Sequence, residues 1–157
     1  MKYINALINY GVKPDKHHVI MFTANRIIHP SGALIMGGGN ALACAMALPT
    51  TPKLFGRKLT AKVRDLAVHN LFHPHPLEVE AGIGAMFTKN HYKDPSDLDT
   101  VIKAIENLKE IANADTHLTF HLPYPAIGLG GLSRTDLDEH VEKLPDNVLV
   151  YVVYPHP

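Results

Sequence analysis

The chain has 157 residues, with 15 Lys and Arg against 15 Asp and Glu, so its formal net charge is zero. Such a length suits one unit with a single core, read here as spanning 1–157. The balanced charge excludes a general electrostatic grip on nucleic acid, which rests on many phosphate neutralisations. Apolar residues make up 46% and charged residues 19%, ordinary for a globular chain, and no run approaches the ~20 apolar residues of a membrane span. With Cys44 as the one cysteine there is no internal disulfide, which suits a reducing cytoplasm. MKYINALINYGV at the N-terminus is too short and too interrupted for a signal peptide.

In chain order, HVIMFTA at 18–24 is a short apolar run rich in β-formers and reads as a buried strand. RIIHPSGALIM at 26–36 carries turn chemistry at His29-Pro30-Ser31-Gly32, so two short strands around a tight turn are expected. Three consecutive glycines come next, Gly37 to Gly39, and then NALACAMAL at 40–48, a helix that Asn40 is placed to cap. A second helix is expected over 60–70. PLEVEAGIGAMFTK at 76–89 reads as a strand pair or a bulged strand around Gly82 and Gly84. The strongest helix signal is SDLDTVIKAIENLKEIANA at 96–114. There Leu98, Val101, Ile102, Ile105, Leu108 and Ile111 share one face, and Ser96 with Asp99 resembles a capping box. HLTFHL at 117–122 reads as a strand, PYPAIGLGGL at 123–132 as a loop, and SRTDLDEHVEKL at 133–144 as a capped helix. NVLVYVVY at 147–154 is the nearly continuous apolar run of a strand covered on both faces. Strands alternating with helices predict an α/β fold, a mixed sheet flanked by helices in three layers.

Glycine in series costs backbone entropy, so something must need bare main chain at 37–39. One reading is a tight turn that lets a helix pack closely on the sheet. The other is an anion site, since a strand–glycine–helix junction presents unpaired N–H groups and the positive end of a helix dipole. Neither a Walker loop nor a G-x-G-x-x-G fingerprint is present; Leu42 stands where the latter needs glycine. A second cluster, Gly128, Gly130 and Gly131, again comes after a strand and before a capped helix. Two such loops at the C-terminal edge of one sheet would pinch a diphosphate between them.

The set IMFTAN at 20–25, MGGGNALA at 36–43 and PYPAIGLGGLSRTDL at 123–137, with a closing apolar strand after it, resembles the macro domain family, which binds ADP-ribose and related nucleotides. The resemblance covers roughly 18–154 and implies a three-layer macro-domain-like fold. It implies that Asn25 lies near the distal ribose, with Thr23 and Ala24 before it among the ligand-binding residues. Met36, Gly37, Gly38, Gly39 and Asn40 would hold one phosphate, and Ile127, Gly128, Leu129, Gly130, Gly131 and Leu132 the other. MFTKNHY at 86–92 is similar to the strand end that carries a catalytic lysine in one hydrolase branch, which makes Lys89 a catalytic candidate beside Asn25. That branch pairs its lysine with an aspartate in the second loop, and the loop here contains no carboxylate.

Phe55, Tyr92 and Tyr124 fall where an aromatic face can stack on adenine or ribose, Tyr124 first among them, with ordinary packing as the alternative. Arg26 is a candidate for a bidentate phosphate contact, and His29 and His91 are neighbours of the site loops. His69, His73 and His75 suggest a zinc pair at i,i+4, although Pro74 and Pro76 interrupt a helix there. Three functions are compatible with these residues: a reader or trap for ADP-ribose; a hydrolase acting on ADP-ribosylated macromolecules or on ADP-ribose 1″-phosphate; and a metal-dependent hydrolase on the histidines. The first two imply no cofactor and no resident metal, and ADP-ribose or an ADP-ribosylated macromolecule as partner.

Overall fold

The computed structural model describes residues 1–11, 17–60, 68–71 and 81–153. A six-stranded sheet forms its centre. Its strands are β1 (Lys2–Ile4), β2 (His18–Ala24), β3 (Val68–Leu71), β4 (Ala81–Phe87), β5 (Thr119–Pro123) and β6 (Val148–Tyr151), in the spatial order β1-β6-β5-β2-β4-β3. Five of them run parallel, and β3 pairs antiparallel with β4 at the edge. Four helices complete the fold: α1 (Gly39–Ala47), α2 (Thr51–Thr60), α3 (Leu98–Ala114) and α4 (Arg134–Val141).

A parallel sheet needs both faces covered, and the alternation of side chains along β2 divides its residues between two cores. Val19 and Met21 join Phe120, Leu122, Val148 and Val150 against Val101, Ile105 and Leu108 of α3 and Leu137 and Val141 of α4. Ile20 and Phe22 join Ile83, Ala85 and Phe87 against Ala41 and Cys44 of α1 and Phe55 of α2. The result is the expected three-layer α/β arrangement.

Several local expectations change. The segment 26–36 folds back as expected at 29–32, with His29 N–H donating to the Ala33 carbonyl at 2.8 Å, but its two strands shrink to one bridge between Ile28 and Leu34. A helix that the sequence pattern does not announce forms at Thr51–Thr60; of the helix expected over 60–70, residues 61–67 lie outside the described ones, and residues 68–70 belong to β3. Pro52 in its first turn favours the start of α2, and at 68–70 ladder pairing of Val68 with Met86 through Leu71 with Ile83 overrides local helix propensity. β4 carries no bulge; its register with β2 is unbroken from His18–Ala81 to Ala24–Phe87, and residues 76–80 lie outside the described ones. On α3 the cap is Asp97, whose carboxylate accepts from Thr100 N at 3.0 Å, because the Ser96 N–H is drawn instead to the Gly130 carbonyl. Leu98, assigned to the buried face, is 37% exposed. The capped helix read at 133–144 forms as α4, with Ser133 as its N-cap in a capping box with Asp136. β1 is an element that the sequence pattern does not announce.

Candidate functional site

β5, β2 and β4 are neighbours and parallel, so their C-terminal ends open on one edge, where α/β sheets carry their ligand crevices. A cleft of about 690 Å³ lies there. It is lined by the segments leaving each strand: Thr23 to Asn25 and Met36 to Asn40 from β2, Thr88, Lys89 and Tyr92 to Ser96 from β4, and Tyr124, Ala126 to Gly128 and Gly130 from β5.

The first loop explains its glycines. Gly37 and Gly39 have φ of +67° and +63°, in the left-handed region that side chains resist, while Gly38 between them is extended. Gly38 is the N-cap of α1 and offers no side chain of its own to cap the amides of the first turn. Asn40 does not cap the helix as expected. Its side chain turns back to β2, accepting from Thr23 N and donating to Thr23 Oγ1, each at 2.7 Å. Asn25, 2% exposed, spends its amide on main chain, accepting from Ile27 N and donating to the Ile35 carbonyl, both at 2.8 Å. It thereby ties down the excursion that leads into the glycines.

The second loop is a 3-10 turn over Gly128–Gly130. Ala126, Gly128 and Gly131 have positive φ; Ala126, at +64°, carries strain that a glycine would not. The turn is closed by Gly131 N–H on the Gly128 carbonyl and Leu132 N–H on the Ala126 carbonyl, at 3.1 and 2.9 Å. Ile127, Gly128 and Gly130 line the cleft; Gly131 and Leu132 do not, Leu132 packs against the core under α3 and α4, and the side chain of Leu129 lies outside the described ones.

Of the aromatic candidates, Phe55 is fully buried, edge-on to Phe22 at 5.0 Å, and belongs to the core. Tyr124 lines the cleft but is only 3% exposed. Its ring stacks on Tyr3 and lies under the Arg134 guanidinium, and its hydroxyl donates to Asp138 Oδ1 at 2.7 Å. Burial, then that hydrogen bond, push the hydroxyl well above the usual phenol range. Tyr92 is the open aromatic: it is 38% exposed and stacked on His91 at 4.4 Å, with Lys93 Nζ 5.9 Å from its ring centre.

Lys89 lines the cleft. Arg26, His29 and His91 do not: Arg26 donates to Asn90 Oδ1, His29 pairs with Ser31, and His91 accepts from Lys93 N. Among the described residues no three His, Cys, Asp or Glu converge as a metal site. His69 stands in β3, where no helical i,i+4 pair forms, and His73 and His75 lie outside the described residues. Cys44 is buried and its thiol is pushed up to about 12, which removes it as a nucleophile. The lining residues that sequence reasoning missed are Thr88, Lys93, Asp94, Pro95, Ser96 and Ala126. The legible signal for most of them was position, since NHYKDPSD joins a strand end to a capped helix at the glycine-loop edge.

No family model and no curated protein matches the sequence. Solved structures do. The macrodomain of Thermus aquaticus DarG superposes with a TM-score of 0.72 at 21% identity, over 98% of this chain and 97% of that one. The macrodomain of Mycobacterium tuberculosis DarG gives 0.63 at 20%, over 94% and 97%. Thermosipho africanus DarTG, solved in complex with ADP-ribose, gives 0.68 at 16% over 85% of this chain, which spans 37% of the DarTG chain. No described helix is long and apolar enough to cross a membrane. Five parallel strands between two helical layers, in the order found here, superpose along nearly the whole chain on these structures: the chain has the macrodomain fold.

Proposed function

We propose that the chain binds ADP-ribose, or a closely related nucleotide derivative, with the diphosphate held between residues 37–40 and 127–130. The observation that carries the reading is that two glycine turns far apart in sequence line one cleft. Each turn has positive-φ backbone, and one opens a helix whose N-cap, Gly38, has no side chain to cap the first-turn amides. Such main chain is suited to oxyanions. The cleft volume of about 690 Å³ lies within the range of small-molecule sites. The ADP-ribose in the Thermosipho africanus DarTG structure supports the ligand class. Thr23, Ala24 and Asn25 would then border the distal ribose, with Asn25 shaping the loop rather than orienting water. Tyr92, the open aromatic, is the stacking residue in place of the buried Tyr124. A lone buried thiol fits the cytoplasm as compartment. Calorimetric titration with ADP-ribose tests the reading. Binding in the micromolar range, about 8 kcal/mol, is expected, and no heat at high micromolar ligand would sink it.

A second reading, removal of ADP-ribose from a modified macromolecule, is favoured by Lys89. Lys89 lies two residues beyond β4 and lines the cleft. Asp94, from the same connection, also lines the cleft and would supply the carboxylate that the second loop lacks. Lys89→Ala should keep ADP-ribose affinity within about threefold and abolish release from an ADP-ribosylated substrate. Release that persists in the variant rules out the lysine.

A further inference from the structure

The connection from β4 to α3 touches both glycine loops. At Tyr92 it meets the first, where a Cβ on Gly37 would lie 3.9 Å from the Tyr92 Cβ. At Ser96 it meets the second. The Ser96 N–H donates to the Gly130 carbonyl at 2.9 Å, and Ser96 Oγ sits 2.7 Å from where a Gly130 Cβ would be. Gly130 is not among the residues with positive φ, so its backbone conformation does not demand glycine. The serine hydroxyl instead occupies the side-chain space, and an alanine at 130 would have to turn it aside. On its other side the Ala126 Cβ stands 3.3 Å from the same point, so the turn is boxed in.

Ser96 is 7% exposed, and among the described residues its Oγ has no hydrogen-bond partner. A buried, unpaired hydroxyl costs stability, and an alanine there would avoid the cost. A small polar group at such a place can act through what it shapes, and Gly130 lines the cleft.

We infer that Ser96 is a positioning residue for the nucleotide site: its hydroxyl fills the side-chain space of Gly130 and holds the Gly128–Gly130 turn at its set distance from the first loop. The inference rests on the ADP-ribose reading above. Groups in contact couple non-additively, and a double-mutant cycle exposes the coupling. The experiment measures ADP-ribose affinity by calorimetry and melting temperature by calorimetric scan for the wild type, Ser96→Ala, Gly130→Ala and the double variant. Ser96→Ala should bind about fivefold more weakly or worse while melting no lower than the wild type, because only an unpaired hydroxyl has gone. Gly130→Ala should also bind more weakly, as its methyl meets the hydroxyl. In the double variant the alanine methyl at 130 takes the vacated space, and affinity should return to within about threefold of the wild type. A Ser96→Ala variant that binds like the wild type, or a double variant weaker than both singles, overturns the inference alone. A wild type that binds no ADP-ribose overturns the reading beneath it, and the inference with it.

Discussion

Gly37→Ala separates the conformational demand of the first loop from its contact with ligand. At φ of +67° an L-residue is strained by roughly 1–2 kcal/mol. The added Cβ meets nothing closer than Tyr92 Cβ at 3.9 Å, an ordinary contact, so strain is the whole cost to folding. For a chain of this size that corresponds to a melting temperature lower by about 2–8 °C. Gly32 is the matched control: its φ is +90°, a Cβ there meets nothing within 4 Å, and it lies outside the cleft. Gly32→Ala should therefore lower the melting temperature by a similar amount and leave ADP-ribose affinity untouched. Gly37→Ala places a methyl where an oxyanion must approach the main chain, and affinity should fall about tenfold or more, at least 1.4 kcal/mol. Calorimetric scans and titrations on the two variants read both quantities. If Gly37→Ala binds as tightly as Gly32→Ala, the first loop does not hold the phosphate.

Three further outcomes rest on the packing. A Cβ on Gly56 would overlap the Gly32 carbonyl oxygen, so Gly56→Ala should destabilise by about 3 kcal/mol or more, or fail to fold, as seen by chemical denaturation. Tyr124→Phe removes a buried hydroxyl's bond to the Asp138 carboxylate and should lower the melting temperature by about 3–6 °C, from about 1.5 kcal/mol. His121, held between His18 at 2.6 Å and the Tyr151 hydroxyl at 2.9 Å, is lowered from 6.5 to about 4, first by burial and then by His18. Above pH 6.5 the imidazole is neutral in both folded and unfolded chains. Between 6.5 and 4 only the unfolded chain takes the proton, so stability should fall with pH across that window by at most about 3 kcal/mol. His121→Gln should flatten the dependence, and an unchanged pH profile in that variant would assign the loss elsewhere.

Much of the site was legible because it is made of local signals. The three glycines at 37–39 announce backbone that side chains cannot adopt, and two of them do have positive φ. Helix α3 was readable from its apolar period and β6 from its unbroken apolar run. What was not legible depends on distant partners. β1 is three residues long and becomes a strand through its register with Leu149, Val150 and Tyr151. Residues 68–70 carry helix formers upstream but pair with β4. Tyr124 looked free because PYP reads as an open loop, whereas Tyr3, Arg134 and Asp138 converge on it from β1 and α4. Ser96 looked like a cap until the Gly130 carbonyl claimed its amide. Asn25 and Asn40 were found by resemblance, but their hydrogen bonds to neighbouring main chain and to Thr23 are three-dimensional facts.

The central claim, a diphosphate shared by two stretches of main chain, is met most directly by a crystal structure of the chain grown with ADP-ribose. The account expects phosphate oxygens within hydrogen-bond distance of amides in both 37–40 and 127–130 at once. A nucleotide bound elsewhere, or one whose diphosphate touches only one of the two loops, would contradict it.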